Sequence, residues 1–173
     1  MFKLRFLARK IPHYAHRYEY AAGDDFVEMV ASVGGRGHLT KADLRRVCKW
    51  KAPRSAGNME RNSDAYVEEI TLFAFSARDE RARIEALTLL DGVSWPTASV
   101  ILHLCHAEPY PIVDYRALWS VGAAVPALYN FDFWWPYVEF CRALAKRYGV
   151  DMRTLDRALW QYSKEYQEKM GTL

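Results

Sequence analysis

The sequence predicts an all-α fold, a compact helical bundle of two small lobes, on three observations. Apolar residues recur at helical spacing along most of the chain. No segment alternates apolar and polar residues as a half-buried strand would. Good capping residues and Gly or Pro breaks fall between the periodic segments, with no low-complexity tract, internal repeat or polar linker to divide the chain. A hydrophobic content of 51% is enough to bury a real core in 173 residues, which excludes a disordered chain.

The elements follow in order. Asp24 and Asp25 precede Phe26, Val27, Met29 and Val30, and Gly34-Gly35 is expected to close that segment. Thr40 is a suitable N-cap for a helix from Lys41 to about Trp50, with Leu44 and Val47 on one face. Pro53 interrupts the chain. Asn62 or Ser63 can cap the next helix, which carries Tyr66, Val67, Ile70, Phe73 and Ala74. A helix from about Arg78 to Leu90 turns Ile84, Leu87 and Leu90 inward and its charges outward. A turn at Gly92 leads to an apolar helix from about Pro96 to His106. Pro109 and Pro111 break the chain, and a helix restarts near Asp114. Two amphipathic helices, from about Phe133 to Tyr148 and Thr154 to Met170, complete the series.

Charge is uneven. The formal net charge is only +3, but residues 1–57 hold twelve Lys or Arg against five Asp or Glu. Arg45, Arg46, Lys49, Lys51 and Arg54 follow one another without an intervening acid, which suits a polyanion such as DNA or a solvated helix face. Cys48, Cys105 and Cys141 are too far apart for a paired framework or an iron–sulfur site, so reduced, buried thiols and a cytoplasmic location are expected. The apolar part of Met1–Lys10 is too short for a signal-peptide core, and no apolar run reaches the roughly 18 residues of a membrane span. A monomer without membrane contact is expected.

The most informative stretch is Leu89–Gly122, LLDGVSWPTASVILHLCHAEPYPIVDYRALWSVG. Gly92 permits a tight turn that a Cβ would strain. Val93 can bury itself between the flanking helices. Pro96 suits the first turn of the second helix, where its missing N–H costs nothing. The N–H groups of the turn and helix start then form an anion site, to which Ser94 and Thr97 can add hydroxyl donors. Such backbone contacts position a duplex without reading its sequence. An ordinary αα-hairpin fits the turn equally well. Downstream, Asp114 emerges after a Pro-containing loop and apolar Ile112-Val113, either as a simple N-cap or as a carboxylate facing the same DNA surface.

Gly92-Val93-Ser94-Trp95-Pro96-Thr97-Ala98 followed by Val113-Asp114-Tyr115-Arg116 resembles the helix-hairpin-helix DNA glycosylase superfamily, which includes endonuclease III, the mismatch adenine glycosylase and the alkyladenine glycosylases. The resemblance covers Leu89–Gly122; the upstream helices carry no matching motif. It implies a helix-hairpin-helix (hairpin and catalytic loop about 78–122), a cleft between the lobes and double-stranded DNA as partner. Three departures shape the expectation. Ser94 replaces the second hairpin glycine. Pro96 stands where bifunctional members carry a Schiff-base lysine, and proline has no amine. The cysteines do not supply the four-cysteine cluster of endonuclease III. The implied enzyme is a monofunctional DNA glycosylase without metal or cofactor.

In that chemistry positive charge develops on the sugar, and the resemblance assigns Asp114 to stabilise the oxocarbenium-like transition state or to activate water. The target base must be flipped out of the stack. Among six Trp, eleven Tyr and eight Phe, Trp50 and Tyr115 are the candidates for a base pocket, although core packing is the usual role of such rings. Arg116 can reach a phosphate or make a surface ion pair. His103 and His106 are read as structural or solvent-facing, since no carboxylate or cysteine arrangement suggests a metal. Two other readings compete: an inert DNA-binding module of the same fold, and a lyase using a relocated Lys49 or Lys51. Damaged bases are the implied substrates, with glucosylated phage bases, removed in defence, as a narrower expectation.

Overall fold

The computed structural model describes residues 2–20 and 25–170, with side chains through Gln167. The described residues are all-helical, with no strand among them. The nine α-helices among them are α1 (Ile11–His16), α2 (Val27–Arg36), α3 (Lys41–Lys51), α4 (Asp64–Ser76), α5 (Glu80–Leu87), α6 (Trp95–Cys105), α7 (Tyr115–Ser120), α8 (Phe131–Tyr148) and α9 (Met152–Met170). The chain divides into two compact units, Ala22–Glu108 and Met1–Ala21 with Pro109–Leu173. No helix among the described residues is long and apolar enough to cross a membrane.

The unit around residues 25–108 holds α2 to α6. Phe26 begins α2, and Asp24, expected just before it, lies outside the described residues. Gly34-Gly35 does not close this helix. α2 runs through both to Arg36 and ends at Gly37, whose φ of +79° supplies the left-handed residue that closes a helix cheaply. Thr40 caps α3 as expected, in a reciprocal box: its hydroxyl accepts from the Asp43 N–H at 3.2 Å, and Asp43 accepts from the Thr40 N–H at 2.9 Å. Ser63, not Asn62, caps α4, accepting from the Tyr66 N–H. Leu44, Val47, Met59, Ile84, Leu87 and Ile101 are completely buried in this unit.

Helix α5 is shorter than its apolar pattern suggests. Asp79 caps its start by accepting from the Ala82 N–H, which leaves Arg78 outside. At its other end the N–H groups of Thr88, Leu89 and Leu90 donate to Glu85, Ala86 and Leu87, three residues back. That tightening winds the last turn down before Gly92 while keeping Leu90 buried.

In the other unit, α1 and α7 both pack against α9. α1 follows Leu7 through a short 3₁₀ turn, with Pro12 inside its first turn. The N-terminal segment runs beside the end of α7, where Lys3 donates to Val121 and Arg5 to Ser120. Phe6, Tyr14 and Tyr162 form an aromatic cluster with centroids 4.6 to 5.2 Å apart. Ser120 donates its hydroxyl to the Leu159 carbonyl at 2.6 Å, tying α7 to α9.

The three cysteines are free thiols. Burial pushes Cys48 up to about 11 and Cys105 up to about 12, and it raises Cys141 well beyond the ordinary thiol range.

Candidate functional site

The turn between α5 and α6 is built around an amide and a glycine. Asn62, 4% exposed, accepts from the Asp91 N–H at 2.9 Å and donates to the carbonyls of Asp91 and Met59 at 3.0 and 2.9 Å. Gly92 has φ +82°, and a Cβ there would stand 2.8 Å from the backbone nitrogen of Met59. Both the dihedral angle and the close approach therefore require glycine. Val93 is 6% exposed and buried as its sequence position suggests. Ser94 is the exposed N-cap of α6, and its side chain makes no capping hydrogen bond, which leaves the hydroxyl facing outward.

Thr97 corrects the sequence reading. Its residue is fully buried, and its hydroxyl has no hydrogen-bond partner among the described residues. It fills space between α6 and its neighbours and does not present a donor to a phosphate.

The basic run on α3 is partly answered by charges distant in sequence. Arg45 donates to both oxygens of Glu60 at 2.5 and 2.8 Å, and Lys41 lies 3.8 Å from the same carboxylate. Arg46 donates to the Asp25 carbonyl and covers the Phe26 ring. Arg54 is exposed and Lys51 half-buried. Trp50 is half-buried with its edge toward Phe26, centroids 5.7 Å apart. Trp50 belongs to the unit of α3, whereas Tyr115 belongs to the unit of α7.

Asp114 sits at the end of a firmly held loop. Tyr137 donates to the Ile112 carbonyl at 3.1 Å, and Arg142 donates to the Pro109 carbonyl at 2.8 Å. Tyr110, fully buried, stacks on Trp134 with centroids 5.8 Å apart. Ile112 and Val113 are buried, and the chain then emerges at a half-buried Asp114. Its Oδ1 accepts from the Ala117 N–H at 2.8 Å, so Asp114 is the N-cap of α7. The cap ties Oδ1 to the first turn of α7, and the residue as a whole is half-buried.

Tyr20 and Tyr129 both feel the charge of this carboxylate. Burial, and after it the negative charge of Asp114, raise the ionisation of Tyr20 and of Tyr129. Both phenols therefore stay protonated beyond the ordinary tyrosine range. Arg116 lies over Tyr115 at 5.1 Å and over Trp160 at 5.4 Å, while Tyr20 meets Trp160 edge to face at 5.5 Å. Tyr115 is 52% exposed. The loop between α7 and α8 carries Leu128, 83% exposed, immediately before Tyr129.

Tyr20, Tyr129 and Trp160 were not singled out in the sequence. No local spacing relates them to Asp114, because the tertiary fold brings them there. Among the described residues, no group of three or more His, Cys, Asp or Glu side chains could hold a metal ion. A carboxylate so placed can stabilise a cation or orient a water. No protein-family model matches the chain, and no curated protein or solved structure matches it either.

Proposed function

We propose that the protein is a monofunctional DNA glycosylase that hydrolyses the N-glycosidic bond of a flipped base in double-stranded DNA. The observation that carries the reading is Asp114, a half-buried residue at the end of a pinned loop whose carboxylate is held by the Ala117 N–H. Fixed in this way, it pays little reorganisation when charge develops on the sugar. As the bond from C1′ to the base nitrogen breaks, the sugar becomes oxocarbenium-like. Water then adds its hydroxyl to C1′, and its proton balances the departing base. The glycine-dependent turn before α6, read as a helix-hairpin-helix, supports the proposal as a backbone grip on phosphate, with Ser94 facing outward. Lys51, Arg54 and Arg116 supply further positive charge. Damaged bases are the proposed substrates, and glucosylated phage bases are the narrower proposal.

One observation favours a second reading. Oδ1 of Asp114 is engaged as a helix cap, which is the whole role of such an aspartate in an inert DNA-binding module. The deciding experiment incubates wild type and Asp114→Asn with DNA carrying alkylated, oxidised, deaminated or glucosylated bases and assays abasic sites. Release by wild type alone establishes the glycosylase. No release from any DNA, with salt-sensitive binding intact, establishes the binding module.

A further inference from the structure

The chain from Ala8 to His16 is one helical run, the 3₁₀ turn Ala8–Lys10 passing straight into α1. Its inner side is taken up by packing. Ile11 is completely buried, Tyr14 is 4% exposed, and the Tyr14 ring stands 5.2 Å from that of Tyr162 on α9. Its outer side is basic. Arg9, Lys10, His13 and His16 are all exposed, and no Asp or Glu precedes Glu19 in the sequence. The spacing of four and three residues from Arg9 through His13 to His16 keeps them on one face, over about 11 Å.

These groups are free where other cations of the fold are not. Among the described residues, the side chains of Arg9, Lys10 and His16 have no hydrogen bond, ion pair or ring contact, and His13 meets only the Tyr14 ring, at 5.1 Å. By contrast, Arg5 donates to the Trp119 carbonyl, Arg17 pairs with Glu165 at 3.1 Å, and Arg45 is held by Glu60. Arg9 and Lys10 also stand at the N-terminal, positive end of the run, where cations are unfavourable. The first turn holds no acid, and no side chain caps either start. Nothing in the fold favours cations at this end, and such local conflicts with stability are expected where residues serve a partner. The wider charge balance agrees. Met1–Ala21 and Pro109–Leu173 together hold thirteen Lys or Arg against eight Asp or Glu, whereas Ala22–Glu108 holds eleven against thirteen. The positive excess of the chain therefore lies in the unit of α1, not in that of α3.

We propose that this face of α1 grips the backbone of double-stranded DNA. Successive phosphates of one strand are spaced by about 3.4 Å along the duplex axis, so the face spans about three of them. Arg9 and Lys10 supply charge, and the two imidazoles supply N–H donors. The face offers no ring to an unstacked base, since Tyr14 is buried, so a single strand would gain nothing here over a duplex. Ile11 and Tyr14 are turned inward, so the helix has no apolar side to insert into a bilayer. Backbone contacts of this kind position DNA without reading its sequence. The proposal rests on the part of the proposed function that makes duplex DNA the partner, and it holds for the enzyme and for the binding module alike.

The test is fluorescence anisotropy with a labelled blunt duplex over a salt series. Arg9→Gln/Lys10→Gln is expected to bind about tenfold more weakly and to flatten the logarithmic salt slope by about 1.8, as loss of two phosphate contacts requires. Arg9→Glu/Lys10→Glu puts acids at the positive helix end, so it is expected to melt no lower than wild type by circular dichroism while abolishing binding. Lys146→Gln/Arg147→Gln removes the same charge from exposed positions of α8 in the same unit, and it is expected to leave affinity and slope near those of wild type. Absence of duplex binding by wild type would overturn the proposal, as would unchanged affinity and slope in the Arg9 and Lys10 variants. Equal weakening by the α8 pair would also overturn it, leaving a diffuse charge effect. So would a higher affinity for oligothymidine or for phosphatidylserine vesicles than for the duplex. Base release is scored separately. Duplex binding through α1 without base release would end the glycosylase reading alone, and base release with unaltered binding in the variants would end this proposal alone.

Discussion

The side-chain amide of Asn62 engages both backbone polar groups of Asp91, accepting from its N–H and donating to its carbonyl, across 29 residues of sequence. The turn into α6 is therefore held from outside. Asn62→Ala removes these part-buried bonds, so a loss of about 1–2 kcal/mol is expected. Urea unfolding monitored by circular dichroism measures it. An unchanged midpoint would mean that the turn holds itself.

Gly92 makes a related claim about the same turn. A left-handed backbone strains any L side chain by roughly 1–2 kcal/mol, and here the new Cβ also meets the Met59 nitrogen at 2.8 Å. Gly92→Val is expected to lower stability by more than ~2 kcal/mol and to weaken DNA binding. A variant with normal melting and normal binding would place the DNA contact elsewhere.

Asp114 separates structure from chemistry by the choice of substitution. Asparagine caps helices as well as aspartate, whereas alanine does not. Asp114→Asn should therefore melt within a few tenths of a kcal/mol of wild type, and Asp114→Ala should lose about 1 kcal/mol. Both are expected to lose base release by at least ~10²-fold while retaining DNA binding. If release follows stability across the pair instead, the carboxylate serves only the helix.

Lys51 and Arg54 report on the basic run. Replacing both with alanine is expected to weaken duplex binding and to flatten the logarithmic salt slope by up to ~1.8. Titrations between low and moderate salt give the slope. Equal slopes for wild type and variant would mean that neither side chain meets a phosphate.

His106 predicts a pH dependence. Its ionisation is lowered, first by burial and then by the charge of Arg83, and its Nδ1 accepts from the Glu108 N–H at 3.0 Å. The folded protein therefore favours the neutral ring, while the unfolded chain protonates near 6.5. Between those two ionisations the unfolded state binds more protons, so stability rises with pH up to about 6.5 and falls on acidification. His106→Gln should flatten this part of the stability curve. Parallel curves for both proteins between pH 5 and pH 7 would contradict the assignment.

Much of the architecture was legible because it is locally encoded. Thr40 capping α3, Asp114 at the head of α7, the buried Val93 and the left-handed turn at Gly92 all follow from neighbours within a few residues. What escaped depends on contacts distant in sequence. The bare charge run on α3 is answered by Glu60. Thr97, a polar residue beside a turn, is buried by the packing of α6. Asn62 looked like a cap for the helix that follows it, yet its partner is Asp91. Tyr20 and Trp160 meet although 140 residues separate them, so no window of sequence could connect either to Asp114.

The three thiols have a practical consequence. Alkylating reagents attack the thiolate, and burial keeps Cys48, Cys105 and Cys141 protonated at neutral pH. Cys48 and Cys141 are moreover fully buried, whereas Cys105 is half-buried, so Cys105 sets the background for covalent labelling of the folded chain. A cysteine substituted for Leu128, on an 83% exposed position beside Tyr129, would react selectively with a maleimide dye. One fluorophore placed there would report events near Asp114 without removal of any native cysteine.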